Sequence, residues 1–508
     1  MKTGKYAFRK WQFLLIILAG TVVRFLYGYW SKAWLAAPDQ LAWGLGLDEM
    51  VNSKTWSYVQ LTHAPHEGGS FFISLLSFLF RPLQWIMPPL SFAALAIDTL
   101  ARAIQVKLAQ KLFGNETAVW FGIWTILSIP LILPWGTVNY GLHSLSSFFP
   151  FVFLYFVTSF RQNKYLPAIC AIISGIAISV SYDNVVLAIA SVLFLFSTAE
   201  SAKKRTYRLL VFFAFFFITI LPHLFTRTYF NSDFSLVGGS SFSIRGVPLE
   251  HLFTSPHLVD FCMVWFTSLP ASFLLTSVPF LPAVALCMLV SLFVFAGVWW
   301  QVRNKSIDKQ VRYLSLCIIF LFVAAYAFSP FYGGSYQKTS YVYYRHWCYI
   351  IPFITVVMMN GFVHSGRLKL YIVAGWIVLC GVASLQYIRS SNKIEQPVYR
   401  AAGWVLANKY GNNLDKLFQI HSAAPNQYQE ELLRGFGWGL SAAIFKNRSD
   451  KASVDKLISI ISQCPRNYQP LIISGVYYSF EKGITPVLDQ RLPSIIGAGL
   501  AEKNNDNK

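Results

Sequence analysis

Two adjacent carboxylates stand early in the 508-residue chain, in the run Leu47-Asp48-Glu49-Met50, followed by His63-x-x-His66-Glu67-Gly68-Gly69-Ser70. A carboxylate within about 3 Å of a hydroxyl or amine can take its proton as that group attacks, so Asp48 or Glu49 is suited to general-base work. Either could instead bind a divalent cation, Mg or Mn, through oxygen. His63, His66 and Glu67 fit no strict zinc-ligand spacing. Far downstream, Phe331–His346 holds six aromatics, two glycines and the cations Lys338 and Arg345, and runs through Tyr344-Arg345-His346 into an apolar stretch. A guanidinium at that boundary can grip a lipid phosphate bidentately or serve as a snorkelling anchor. Arg24 has the same two readings.

The elements that position these groups follow from composition. The chain is 55% hydrophobic, 17% aromatic and 13% charged. A soluble domain carries about 25% charged residues, so an ordinary cytosolic enzyme, a disordered chain and a coiled coil are excluded. The net charge of +20 does not indicate a nucleic-acid partner, because the basic residues sit in short gaps between apolar runs and not on one soluble face. Seven cysteines, most of them inside apolar stretches, imply no disulfide framework. A crossing needs about 20 mostly apolar residues, and eleven such spans are predicted: 11–30, 88–112, 117–136, 143–160, 165–182, 185–199, 208–226, 279–301, 313–330, 347–363 and 370–388. The first is read as a retained anchor, since no small-residue cleavage site follows it. Segments 70–86 and 261–276, interrupted by Arg81-Pro82 and by Pro270, are read as interfacial helices.

With the N-terminus inside, nineteen Lys and Arg fall in the inner segments and seven in the outer ones. This bias sets the orientation and places the C-terminus outside. The acids Asp39, Asp48, Glu49, Glu67, Asp183, Asp233, Glu250 and Asp260 all fall on the outer side, which is where chemistry is expected. Asp98 and Arg102, four apart in the second span, are expected to pair along their helix. Asn139, Tyr140 and His143 form one polar outer turn, and Asp183-Asn184 another.

Residues 391–508 carry 14 Lys/Arg and 10 Asp/Glu. They read as a small soluble, helical, outer-side domain with a binding or assembly role. In it Tyr428-Gln429-x-x-Leu432-Leu433-x-Gly435 recurs 40 residues later as Tyr468-Gln469-x-x-Ile472-Ile473-x-Gly475, the mark of two stacked copies of one helical unit. The expected architecture is all-α: a polytopic membrane helical bundle of about eleven transmembrane helices over 1–390, with outer loop 31–87, and the soluble domain 391–508.

The arrangement resembles the GT-C superfamily of integral-membrane glycosyltransferases that use polyprenyl-phosphate sugars, and within it the protein O-mannosyltransferase and aminoarabinose transferase branch. The residues that carry the likeness are Arg24 in the first span, the loop pair Asp48-Glu49, the stretch 70–80, Leu112-Phe113-Gly114 after Lys107 and Lys111, and Tyr344-Arg345-His346 followed by Pro352. Where that branch has paired prolines after the carboxylates, this chain has His66-Glu67-Gly68-Gly69, and its Arg-Tyr is Arg345-His346 here. The resemblance implies that Asp48 is the catalytic base, that Glu49 positions the acceptor or a cation, and that Arg345 is a ligand of the donor phosphate. Arg24, His66, Glu67, Lys338, Tyr344 and His346 are the further substrate-binding candidates. It implies transfer of a sugar from a polyprenyl-phosphate donor to a lipid, glycan or protein acceptor at the outer face, with inversion, in an integral-membrane protein of a bacterial inner membrane. No certain cofactor is implied beyond the divalent cation already considered. The rival reading is a transporter or flippase, which would show repeated groups of spans and broken helices with ionisable residues near the midplane.

Overall fold

The computed structural model describes residues 8–31, 73, 75–129, 132–137, 143–229, 269, 273, 280–303, 305, 308–327, 347–390, 395–424, 426–445 and 451–481. Every regular element among these residues is helical. They fall into two compact units, divided after Ser390.

The first unit has eleven main helices among the described residues: α1 (Lys10–Ser31), α2 (Pro89–Phe113), α3 (Asn115–Leu127), α4 (Phe149–Ser159), α5 (Leu166–Val180), α6 (Val185–Ser197), α7 (Ala202–Tyr229), α8 (Phe280–Arg303), α9 (Lys309–Ala327), α10 (Ile351–Val363) and α11 (Lys369–Ser390). Each falls on one of the predicted spans. A helix satisfies its own N–H and C=O groups, which hydrocarbon demands because it offers no partners. By length and composition Lys10–Ser31, Ala285–Arg303 and Gly366–Arg389 can cross a bilayer, while α4, α5, α6 and α10 are apolar but shorter. Apolar side chains cover the outside: Leu14, Leu15 and Leu18 on α1, Phe217 and Ile218 on α7, Met288 and Leu292 on α8, and Val378 and Val382 on α11 are all exposed. In water such faces would aggregate; against lipid they match their solvent. Between these helices lie a one-turn helix (His143–Ser146) and 3-10 segments at Phe78–Leu83 and Leu133–Gly136. The first 3-10 segment falls within the expected interfacial stretch 70–86. Nearly all of 261–276 lies outside the described residues.

The centre of this unit is α10, all thirteen residues of which are buried, together with Trp347, Cys348, Tyr349 and Ile350 before it. Its crossing with α8 depends on two glycines. A Cβ on Gly361 would run into the carbonyl oxygen of Gly297, and one on Gly297 would lie 2.8 Å from the Cα of Met358. Between helices already in lipid, such close approach supplies van der Waals contact where no hydrophobic gain remains. Asn360 on α10 donates from Nδ2 to Gln301 Oε1 on α8 and accepts at 3.0 Å from Thr117 Oγ1 on α3, which joins three helices by side-chain bonds. The connections assigned to the inner side by charge also meet: Lys369 pairs with Glu116 at 2.8 Å, and Arg161 with Asp308 at 3.6 Å. Both pairs are partly exposed and add little stability.

The second unit contains α12 (Glu395–Tyr410), α13 (Leu414–Ala423), α14 (Asn426–Ile444), α15 (Lys451–Ser462) and α16 (Gln469–Glu481). Helices α12, α14 and α16 pack in sequence, with α13 and α15 as the returning members. The repeat found in the sequence has one physical cause. Gln429 Nε2 donates to the Ala424 carbonyl at 2.9 Å, and Gln469 Nε2 donates to the Cys464 carbonyl at 3.0 Å. Each glutamine, near the start of its helix, thus satisfies a carbonyl left open where the preceding helix ends. Leu432, Leu433 and Ile472 are buried in the shared core. A Cβ on Gly437 would collide with the Ile472 carbonyl, and one on Gly475 with that of Arg434, so the stacked helices touch backbone to backbone. Among the described residues this unit exposes no large hydrophobic side chain.

His421 at the end of α13 is buried, with its ring 5.0 Å from that of Tyr468. Burial lowers its imidazole pKa below the ordinary 6.5, outweighing an upward pull from the backbone of Gln429. Between the folded value and 6.5 the unfolded chain binds more protons, so acidification through that window favours unfolding, and above it stability is unaffected. The second unit should therefore melt at lower temperature as pH drops below 6.5, and His421→Phe should flatten this dependence in a fluorescence melt. In the first unit, Gly361→Val should cost about 1–3 kcal/mol or more by overpacking the α8–α10 crossing, read as a lowered melting temperature in detergent.

Candidate functional site

Asp48, Glu49, His66, Glu67, Lys338, Tyr344, Arg345 and His346 lie outside the described residues; Arg24 lies within them. On α1, Gly20, Arg24 and Gly28 recur every four residues and so share one face. On α2, Ser91, Asp98, Arg102 and Gln105 are spaced seven, four and three apart and form one buried polar stripe. These two faces meet. Arg24 Nε lies 2.9 Å from Asp98 Oδ2, and Arg102 Nε donates to the same oxygen at 2.7 Å. The expected Asp98–Arg102 pair is present, with Arg24 as a third member. Arg102 also donates from Nη2 to Thr21 Oγ1 at 2.9 Å and to Thr99 Oγ1 at 3.3 Å, and from Nη1 to the Ile17 carbonyl at 3.3 Å. Arg102 is 3% exposed and lies within the bundle, not in an inner connecting segment.

The rest of Arg24 explains the end of α3. The sequence predicts one span over 117–136, yet the α-helix stops at Leu127 and Ser128 turns away with φ 50° and ψ −128°. The last carbonyls of a helix have no partner within it. Arg24 Nη1 donates to those of Thr125 at 3.1 Å and Ile126 at 3.0 Å, as well as to Gly20 on its own helix at 3.1 Å, while Nη2 donates to Ser128 Oγ at 3.2 Å. A cation there also complements the negative end of the helix dipole. The returning segment closes over the side chain: a Cβ on Gly136 would strike the aliphatic stem of Arg24, and one on Gly20 would strike Arg102 Nη1. Arg24 is 0% exposed. Neither a snorkelling end nor a direct phosphate contact describes it, because its guanidinium is taken up by α1, α2 and α3.

A second buried polar group continues the α2 stripe. Gln105 Nε2 donates to Ser147 Oγ at 2.9 Å. Asn184 Nδ2 donates to Ser146 Oγ at 3.3 Å and to the Ala177 carbonyl at 3.0 Å, and Ser181 Oγ donates to Asp183 Oδ2 at 3.3 Å. Asp183 and Asn184, expected in an outer turn, are buried. Sequence reasoning missed Ser128, Thr21 and Thr99. The four-residue spacing of Gly20, Arg24 and Gly28 was the available signal, since small residues on both sides of a cation mark a face that neighbours approach closely. Among the described residues no three His, Cys, Asp or Glu side chains are grouped so as to hold a metal ion.

No protein-family description and no curated protein matches this chain. Two solved structures do, both of ArnT from Cupriavidus metallidurans. The apo form is 13% identical, with 96% of this chain and 76% of that chain covered and a TM-score of 0.41. The form bound to undecaprenyl phosphate is 12% identical, with 96% and 77% covered and a TM-score of 0.36.

Removing one member of a buried ion cluster leaves a charge uncompensated, at a cost of about 3–5 kcal/mol. Asp98→Leu should lower the melting temperature sharply in detergent. The double variant Asp98→Leu/Arg102→Met, which leaves one buried cation fewer, should lose less than the single one.

Proposed function

We propose that the chain is a GT-C-type glycosyltransferase that moves a sugar from a polyprenyl-phosphate donor to an acceptor at the outer membrane face. The observation that carries this reading is the helix order. Among the described residues eight main helices, α2 to α9, lie between the loop bearing Asp48-Glu49 and the segment bearing Arg345. With one crossing each, an even number returns the chain to the same face, so the base and the phosphate ligand share a side. The charge pattern makes that side the outer one.

In this reading the donor presents its anomeric carbon at the outer leaflet with the lipid phosphate as leaving group. Asp48 takes the proton of the acceptor hydroxyl or amine as the new bond to the anomeric carbon forms, and the bond to the phosphate oxygen breaks in the same displacement, inverting the centre. Arg345 stabilises the charge that develops on the departing phosphate. Glu49 orients the acceptor, while Lys338, Tyr344, His346, His66 and Glu67 surround the two substrates. A membrane transporter is the rival favoured by one observation: α3 is broken and ionisable residues are buried beside the break. Against it, the cluster offers no open polar group to a passenger, since Arg24, Asp98 and Arg102 are buried and mutually engaged.

An enzyme works without a sealed compartment, and a transporter cannot. Purified protein added to a detergent extract of a strain lacking it should restore the one-sugar mass increment of the acceptor, read by mass spectrometry. Asp48→Asn should reach wild-type expression and lower transfer by about 10²–10⁴-fold. Transfer at the wild-type rate by that variant would remove Asp48 from the site.

A further inference from the structure

We propose that the turn joining α8 to α9 binds the phosphate of an anionic phospholipid through Arg303, Lys305 and Lys309, on the side that the charge pattern makes inner.

Residues 303–313 carry four cations and one acid, Asp308. That acid is already engaged. Its Oδ1 accepts from the Gln310 amide at 2.7 Å at the start of α9, and its Oδ2 lies 3.6 Å from Arg161 Nη1, just past α4. Among the described residues Arg303, Lys305 and Lys309 pair with no carboxylate, and all three are exposed. Aromatic rings take the place of acids here. Arg303 Cζ lies 4.3 Å from the ring centroid of Trp299, and the Tyr313 ring has Lys309 Nζ at 5.8 Å and Arg312 Cζ at 5.1 Å. A ring attracts a cation through its quadrupole but carries no countercharge. The cations are held in place without being neutralised.

The flanking helices supply the rest of a lipid's surroundings. On α8, Leu292, Phe295, Trp299 and Val302 are exposed at spacings of three, four and three, which is one face. On α9, Tyr313 and Phe320 are exposed seven apart, again on one face. Each stripe runs from apolar side chains to an aromatic ring and then to a cation. Along a phospholipid the matching order is acyl chain, interface and headgroup phosphate. Guanidinium and ammonium groups take phosphate oxygens by charge-assisted hydrogen bonds, and basic sites between membrane helices bind anionic headgroups. A zwitterionic lipid offers the same phosphate but brings its own cation, which unneutralised Arg303, Lys305 and Lys309 repel. The turn therefore selects an anionic headgroup.

The full-length protein in nonionic detergent, stripped of lipid, can be titrated with dioleoylphosphatidylglycerol or dioleoylphosphatidylcholine and its bound lipid counted by native mass spectrometry. The anionic lipid should bind wild type about tenfold more tightly than the zwitterionic one. Arg303→Gln/Lys309→Gln should erase that preference, while the charge-keeping pair Arg303→Lys/Lys309→Arg should retain it. Lys204→Gln/Arg367→Gln, which removes two other exposed inner cations, should retain it as well. All four side chains are exposed, so each variant should melt as wild type does without lipid. No preference in wild type, a preference that survives Arg303→Gln/Lys309→Gln, or one that falls equally in both Gln pairs overturns the proposal. Displacement of the anionic lipid by excess inorganic phosphate also overturns it, because a free anion would then be the occupant. The measurement needs no transferase activity, so its failure is distinct from failure of the sugar-transfer reading.

Discussion

One cation governs the first unit. A guanidinium buried at membrane depth has no water to lean on, and neither do the last carbonyls of a helix that ends there; each would be costly alone. Arg24 settles both deficits at once by donating to the Thr125 and Ile126 carbonyls, with Asp98 supplying the countercharge. Because Asp98 is shared with Arg102, and Arg102 reaches back to Ile17 and Thr21, the cluster fastens α1 to α2 along a full two turns. The break in α3 is permitted by these bonds, and the segment after it takes its path from them.

The two units solve the same packing problem in different solvents. In the first, lipid already accepts the apolar side chains, so burying them between helices gains little, and helices associate through close backbone approach and polar links such as Thr117–Asn360–Gln301. In the second, a common apolar core runs through the stack. Glycine serves both, at Gly297 and Gly361 in one and at Gly437 and Gly475 in the other, because removing a Cβ shortens the distance between helix axes in either solvent.

What was legible in the amino-acid order follows from how local the cause was. Span positions depend on runs of apolar residues, and these delivered ten of the eleven helices to within six residues at either end, α3 being the exception. The Asp98–Arg102 pair depends on a four-residue spacing within one helix and was equally visible. The 40-residue recurrence was visible as a pattern of Tyr, Gln and Gly, but the task of Gln429 and Gln469 was not, since it needs the end of the preceding helix in place. The stop in α3 was only partly legible: Pro130 and Pro134 are local breakers within the mostly apolar run 117–136, but Arg24, which takes up the last carbonyls, lies about a hundred positions upstream in a different helix. The same holds for Arg24 itself: a cation near a span end suggests water or phosphate, and only the carbonyls of α3 reveal its real partners. The acidic pair and Arg345 fall outside the described residues, so for them the legible part is order along the chain and parity of crossings.

The complete enclosure of α10 bears on how the protein is made. This helix has no side facing lipid, so the bilayer cannot be the final host for it, although it emerges from the ribosome after nine of the described main helices, its packing neighbours α2, α3, α8 and α9 among them. Those neighbours must leave a vacancy at the middle of the bundle until α10 arrives, and α11 must come after it. The centre of the bundle is thus completed only once α10 has been synthesised and Gly361 can meet Gly297 of α8.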